Sequence, residues 1–227
     1  MGLGGIMPIN EFITTFTSAS PLLIKGLLTT IKLWLASFAI SLTMGCIWGV
    51  LRSNQLRIFL VSDLLDALTF VLRGIPFFVQ LLLAYFVLPA LLNIDISASA
   101  AATTSLGLCS AAYVSQIVRA GINTIDPFQW EAAKMLGYSM RQTLRLIIIP
   151  QAFKNILPAL TGEFDQLLKT TAVFSTIGIL ELTGVGKNIV AQEMNPLSTY
   201  GLIAVLYLSI SSALAVVSYY AEKRLQS

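Results

Sequence analysis

The sequence predicts an all-α integral membrane protein with five transmembrane helices, a single transmembrane domain over 1–227. Three observations carry this. The chain is 56% apolar and 11% charged, with mean hydropathy +0.81, whereas soluble domains run at about 25% charged. Its apolar residues fall into long stretches, and a span needs roughly 20 such residues. Its basic residues gather on one side of those stretches. No polar stretch is long enough for a separate soluble domain.

The expected spans cover about 24–51, 67–92, 98–118, 157–180 and 199–220. Stop signals separate them. Ser53-Asn54-Gln55 follows the first, Asn93-Ile94-Asp95 the second and Asp126-Pro127 the third, and Asn195-Pro196 precedes the fifth. Residues 1–20 carry neither a positive leader region nor a compact apolar core, so the first apolar stretch is expected to be a retained span. The segment 144–160 is interrupted by Pro150, Gln151, Lys154, Asn155 and Pro158. A charge at the bilayer centre costs about 2.5–3.5 kcal/mol on insertion scales. An interfacial helix leading into the fourth span therefore fits better than a sixth span.

Charge fixes the orientation. With the loop 119–156 inside, nine basic residues face the cytoplasm: Arg52, Arg57, Arg119, Lys134, Arg141, Arg145, Lys154, Lys223 and Arg224. The opposite side receives only Lys25 and Lys187. The N-terminus is then outside and the C-terminus cytoplasmic. The net charge of +3 is small and serves orientation, not nucleic-acid binding. The chain has no histidine, and its two cysteines, Cys46 and Cys109, lie inside apolar stretches. They read as small core residues, and no metal site is expected.

The loop 119–156 holds the most specific pattern. Glu131-Ala132-Ala133 is followed by Gly137, and the run closes on Ile147, Ile149 and Pro150. Asp126 can cap a helix that Pro127 opens. Glu131 sits near that helix start, where a carboxylate suits the macrodipole. The layout resembles the cytoplasmic EAA loop of ABC-transporter permeases, with Ile149 where leucine is usual. Further phrases resemble the polar-amino-acid branch of that family. They are Arg73-Gly74-Ile75-Pro76 with Phe77-Phe78-Val79-Gln80, the run Tyr113 to Ile122, Gln129-Trp130, Glu163-Phe164, Leu167-Leu168-Lys169, and Ile177 to Thr183. The likeness spans roughly residues 22–224.

That resemblance implies a five-span permease of the type I importer fold in a bacterial inner membrane. It implies a separate ATPase subunit in two copies, a second permease chain forming a homo- or heterodimer, and an extracytoplasmic amino-acid-binding protein. It implies no cofactor on this chain, with ATP–Mg on the ATPase. Glu131, Ala132, Ala133 and Gly137 would contact the ATPase, the small residues allowing close approach.

Polar residues inside spans usually face a bundle interior and mark a substrate path. Here they are Arg73 and Gln80, Tyr113 and Gln116, and the stripe Glu163, Gln166 and Thr170. A zwitterion needs donors for its carboxylate and acceptors for its ammonium, which Arg73 and Glu163 would supply. Arg73 reads equally as a snorkelling brace. Asp165 and Lys169, four apart, read as a neutralising pair on another face. The family's usual carboxylate at position 170 is Thr170 here, and Asp165 is an added one. Two carboxylates against one lysine on the fourth span favour a cationic or neutral cargo over an acidic one.

Catalytic motifs are absent. Gly184-Val185-Gly186-Lys187 lacks the earlier glycine of a phosphate loop, since Glu181 stands there, and Asn188 replaces the required Ser or Thr. Two other function classes remain besides an ATP-driven importer subunit: an ion-coupled secondary transporter, and a non-transporting membrane assembly factor. The first usually carries internal repeats, which are not visible here. The second has no use for an EAA loop. For topology, single cysteines are introduced in a background lacking Cys46 and Cys109. Asn93→Cys should react with an impermeant thiol reagent in intact spheroplasts and Ser227→Cys only after permeabilisation; labelling of the latter in intact cells contradicts the five-span orientation.

Overall fold

The computed structural model describes the backbone of residues 9–226 and the side chains of residues 19–224. Residues 1–8 and Ser227, including the termini whose sides were assigned above, lie outside the described residues. Besides a 3-10 turn at Asn54–Leu56, eight helical segments follow in order among the described residues. They are α1 (Ile9–Leu51), α2 (Val61–Gly74), α3 (Phe77–Leu92), α4 (Ala98–Asn123), α5 (Pro127–Met135), α6 (Met140–Ile177), α7 (Leu182–Glu193) and α8 (Pro196–Gln226).

The helices depart from the expected spans in two instructive places. The stretch 67–92 is not one rod: α2 and α3 meet at 102°. Pro76 explains the break. It has no N–H to offer the Leu72 carbonyl four residues back, and it pushes Ile75 out of the helical region; Ile75 sits at φ −96°, ψ 130°. Conversely, the segment expected to lie at the interface, 144–160, is continuous with the following span in α6. Its proline is absorbed by a wider turn. Leu144–Ile148 has π geometry immediately ahead of Ile149-Pro150, and Leu83–Val87 has it ahead of Leu88-Pro89. A π turn relaxes the backbone where a proline withholds a donor. At its far end α6 tightens into a 3-10 turn over Thr171–Ile177, and α7 departs at 48°.

By length and composition, Ala19–Leu51 and Pro196–Arg224 can each cross a membrane, and the pairs α2/α3 and α6/α7 qualify as broken spans. α4 has 26 residues, about 39 Å at 1.5 Å per residue, so it too is long enough. It is rich in Ala, Ser and Thr, and most of it is buried. It is the central helix.

α1 packs along α4 more closely than ordinary side chains permit. A Cβ on Gly45 would sit 2.6 Å from Val114 Cβ, and one on Gly49 would sit 2.5 Å from Val118 Cβ and 2.8 Å from the Ser115 carbonyl oxygen. The i, i+4 glycines let the backbones approach, as small residues do in membrane helix pairs generally. Three apolar clusters surround this pair. One joins α4, α5 and α6 around Trp130, Ile148 and Ile156. One joins α1, α3, α4 and α6 around Leu81, Leu106 and Phe174. One joins α1, α7 and α8 around Leu182, Ile189 and Leu202.

A charged knot closes the end of the bundle at the α1–α2 turn. The Asp66 carboxylate accepts from Arg52 Nε at 2.7 Å and from Arg119 Nη1 at 3.2 Å, and Arg57 lies 3.1 Å away. Arg57 also pairs with Asp63, and Arg52 donates to Ser115 Oγ at 2.8 Å. Three of the nine basic residues counted for orientation are thus tied to α2. Gly49→Leu should force α1 off α4, costing about 1–3 kcal/mol as overpacking does, and lower the melting temperature in detergent. Gly162→Ala, where an added Cβ meets nothing within 4 Å, should leave it near the wild-type value.

Candidate functional site

A polar cleft of about 440 Å³ opens where the α2/α3 bend faces α4 and α6. Arg73, in the last turn of α2, lines one wall and Tyr113 of α4 another, with the guanidinium carbon 5.3 Å from the Tyr113 ring centroid. That separation suits a cation–π contact. Glu163, Gln166 and Thr170 line the α6 wall, following the i, i+3, i+7 spacing of one helix face. Among the described residues no carboxylate lies within 4.0 Å of Arg73. Arg73 and Glu163 therefore share the cleft without neutralising each other. Cys109, Ser110, Leu106 and Phe77 complete it.

Five of the seven expected substrate-path residues meet here: Arg73, Tyr113, Glu163, Gln166 and Thr170. The other two lie elsewhere. The Gln80 side chain points back at the break, and its Nε2 donates to the carbonyls of Leu72 and Ile75, both at 2.7 Å. The Leu72 carbonyl is the one that Pro76 leaves without a donor, so Gln80 replaces the missing bond. Gln116 lines a second groove of about 320 Å³ with Ala120, Thr124 and Asn155. That groove continues the same α4 and α6 faces by one to two turns, from Tyr113 to Gln116 and Ala120, and from Glu163 back to Ala159 and Asn155.

Ser110 was not legible as a site residue. Its hydroxyl donates to Glu163 Oε1 at 2.7 Å and accepts from Ser41 at 2.8 Å. Its spacing of three from Tyr113, on the stripe that ends at Gln116, was the available signal. Asp165 faces away from the cleft. It pairs with Lys169 at 2.5 Å and accepts from Ser211 Oγ of α8 at 2.6 Å. Among the described residues no group of three His, Cys, Asp or Glu side chains could hold a metal ion.

The EAA segment is a helix–turn–helix. Asp126 caps α5 through the Phe128 N–H at 2.9 Å, with Pro127 at the first turn. Gly137, at φ +77°, ends it. The Tyr138 N–H reaches back to the Ala133 carbonyl and the Gly137 N–H to Lys134, each at 3.0 Å, the paired bonds of a Schellman stop. Ser139 and Gln142 form a capping box that starts α6. The small residues therefore divide their roles. Ala132 is exposed with Glu131, but Ala133 is buried at 1%. An added Cβ at Gly137 meets nothing of this chain within 4 Å, and its positive φ is what favours glycine within the fold.

The exposed face of α5 contains residues that the motif did not point to. Phe128, Met135 and Leu136 are 76%, 88% and 75% exposed and, with Glu131 and Ala132, follow i, i+3, i+4, i+7, i+8 spacing. Such a contiguous apolar face marks an interaction surface. Its opposite side is anchored to α6. The Gln129 and Gln151 amides bond reciprocally at 3.1 and 2.7 Å, and Trp130 is buried beside Ile148 and Ala152.

A helical membrane bundle with a polar cleft between broken helices and a capped helix with an exposed apolar face is the architecture of the membrane-spanning component of a transport system. The chain belongs to the family described as binding-protein-dependent transport system inner membrane component, whose model matches residues 41–226. It is 35% identical over 207 residues to the arginine transport system permease protein ArtQ of Bacillus subtilis, covering 91% of this chain and 94% of that one. It is 31% identical over 215 residues to the glutamine transport system permease protein GlnP of Escherichia coli, covering 92% and 94%. Among solved structures, an amino acid ABC transporter crystallised with histidines matches at TM-score 0.84 and 35% identity, over 93% of this chain and 97% of that one. The MetNI methionine ABC transporter matches at TM-score 0.80 and 18% identity, over 92% and 98%, a likeness of fold.

Gly137→Ala leaves the small surface intact but places a Cβ in the left-handed region, at a cost of about 1 kcal/mol. It should loosen the α5 stop, raising amide exchange at Gln129–Tyr138 while exchange in α4 stays unchanged. Equal protection in both proteins would mean that Gly137 does not set the end of α5.

Proposed function

We propose that this chain is the permease through which an ATP-driven importer passes α-amino acids, cationic or neutral. One observation carries the reading: Arg73 and Glu163 share a cleft without pairing. A zwitterionic ligand offers a carboxylate to the guanidinium, which binds it bidentately, and a cationic group to Glu163. Tyr113, Gln166 and Thr170 supply a ring face and hydroxyl and amide partners. Gln116 belongs to the onward route along α4 and α6 toward the EAA segment, and Gln80 serves the site by holding the α2/α3 bend. The amino-acid cargo is supported by the names of the relatives, and its charge by the balance of carboxylates on α6.

Five spans follow if α1, the pair α2/α3, α4, the pair α6/α7 and α8 each cross once. The N-terminus is then outside and the EAA segment and C-terminus lie in the cytoplasm of a bacterium, the chain passing several times through its inner membrane. Phe128, Glu131, Ala132, Met135 and Leu136 form the face that docks in an ATPase cleft. Two ATPase copies carrying ATP–Mg, a second permease chain and an extracytoplasmic binding protein complete the transporter.

Reconstituted with those subunits, the complex should import arginine, lysine or glutamine only while ATP is hydrolysed. Glu163→Gln and Arg73→Met should each slow import by roughly tenfold or more, since a hydrogen bond to a charged group contributes about 1.5–3 kcal/mol, with the ATPase still bound. Wild-type import by both variants, or glutamate as the best cargo, would sink this reading.

A further inference from the structure

We infer that α1, which contributes no residue to the cleft walls, positions Glu163 from behind through Ser41 and Trp34. The inference rests on the reading of the cleft as a site for a cationic group.

Two independent contacts from α1 converge on adjacent residues of α6. In the first, Ser41 Oγ–H donates to Ser110 Oγ at 2.8 Å and Ser110 Oγ–H donates to Glu163 Oε1 at 2.7 Å. A hydroxyl carries a single proton. Because Ser110 gives its own to the carboxylate, the direction is fixed as Ser41 to Ser110 to Glu163. Ser41 is fully buried and Ser110 is 3% exposed, so water does not compete for either. In the second contact, Trp34 Nε1–H donates to the Phe164 carbonyl at 3.1 Å. The Phe38 ring stands edge-on to Phe164 at 4.3 Å. Trp34, Phe38 and Ser41 are spaced i, i+4, i+7, one face of α1.

The result is a carboxylate with one defined oxygen. Oε1 is held by Ser110; among the described residues no side chain or backbone group bonds to Oε2. A charge-assisted bond is stronger than a neutral one, and a chain of hydroxyls polarises it further. Glu163 therefore presents Oε2 to the cleft in one orientation. The reference for that orientation is α1, which the glycine contacts at Gly45 and Gly49 lock to α4. Ser41 and Trp34 are positioning residues: they never touch the cargo.

The test uses the purified transporter without its binding protein, and two probes of equal length. Arginine carries a cationic guanidinium; citrulline carries a neutral ureido group in its place. The wild-type complex should bind radiolabelled arginine more tightly than citrulline, and Glu163→Gln should remove that preference. Ser41→Ala and Trp34→Phe should each weaken arginine binding roughly fivefold, the worth of one hydrogen bond, and leave citrulline binding within about twofold of wild type. Two variants are used so that misfolding of one, seen as loss of both ligands and of ATPase association, does not decide the matter. If both variants bind arginine as wild type does, or lose both probes in parallel, α1 is packing alone and the inference is overturned while the cleft reading stands. If the wild type does not prefer arginine, or Glu163→Gln keeps the preference, the cleft reading fails and this inference with it.

Discussion

The close contact between α1 and α4 is the constraint on which the rest of the molecule depends. Gly45 and Gly49 bring two helices within reach of backbone–backbone contact along the bundle axis. In lipid there is no water to drive helices together, so packing this tight and buried hydrogen bonds must do the work. Every other element is placed against the pair. α2 is tied to its end by the Asp66 knot. α6 meets α4 through Ser110 and Glu163, and α7 meets α1 through the Leu182 N–H and Thr30 Oγ1 at 3.0 Å.

Against that rigid pair, the two broken spans place the polar groups. A break in a membrane helix leaves backbone groups without partners, each costing several kcal/mol in hydrocarbon. Here the freed groups are recovered locally. Gln80 serves the α2/α3 break. The Glu181 carboxylate serves the start of α7, accepting from the N–H groups of Thr183 and Gly184 and from Tyr207. The first bend carries Arg73 to the cleft wall, and recovery of its carbonyls holds it there.

Much of this was legible in the sequence, because composition and motif spacing are local properties. The apolar stretches, the Asp126-Pro127 cap and the stripe Glu163, Gln166 and Thr170 are written in consecutive residues. What could not be read depends on partners far along the chain. Gln80 was grouped with Arg73 as polar residues of one span, and Pro76 breaks that span between them. Ser41 and Ser110 are 69 residues apart, and nothing in either neighbourhood announces their bond. The left-handed turn at Gly137 was not separable from its smallness, because smallness and backbone freedom have the same signature in a sequence. Phe128, Met135 and Leu136 were concealed for the opposite reason: in an apolar chain, an exposed apolar residue is unremarkable until the fold shows which face is uncovered.

The reciprocal amide pair of Gln129 and Gln151 sets the size of the exchangeable module in this protein. The α5 helix is short and sharply bounded, which suggests a cassette that could be swapped between relatives at Asp126 and Ser139. Yet its inner face is fastened to α6 by two hydrogen bonds that need an amide on each side, and by Trp130 beside Ile148 and Ala152. A transplanted α5 carrying another residue at position 129 would leave the Gln151 Oε1 without the donor that Gln129 supplies, its Nε2 keeping only the Ile147 carbonyl. The unit that can be inherited or grafted intact is therefore the stretch from Asp126 to Ala152, exposed face and anchor together.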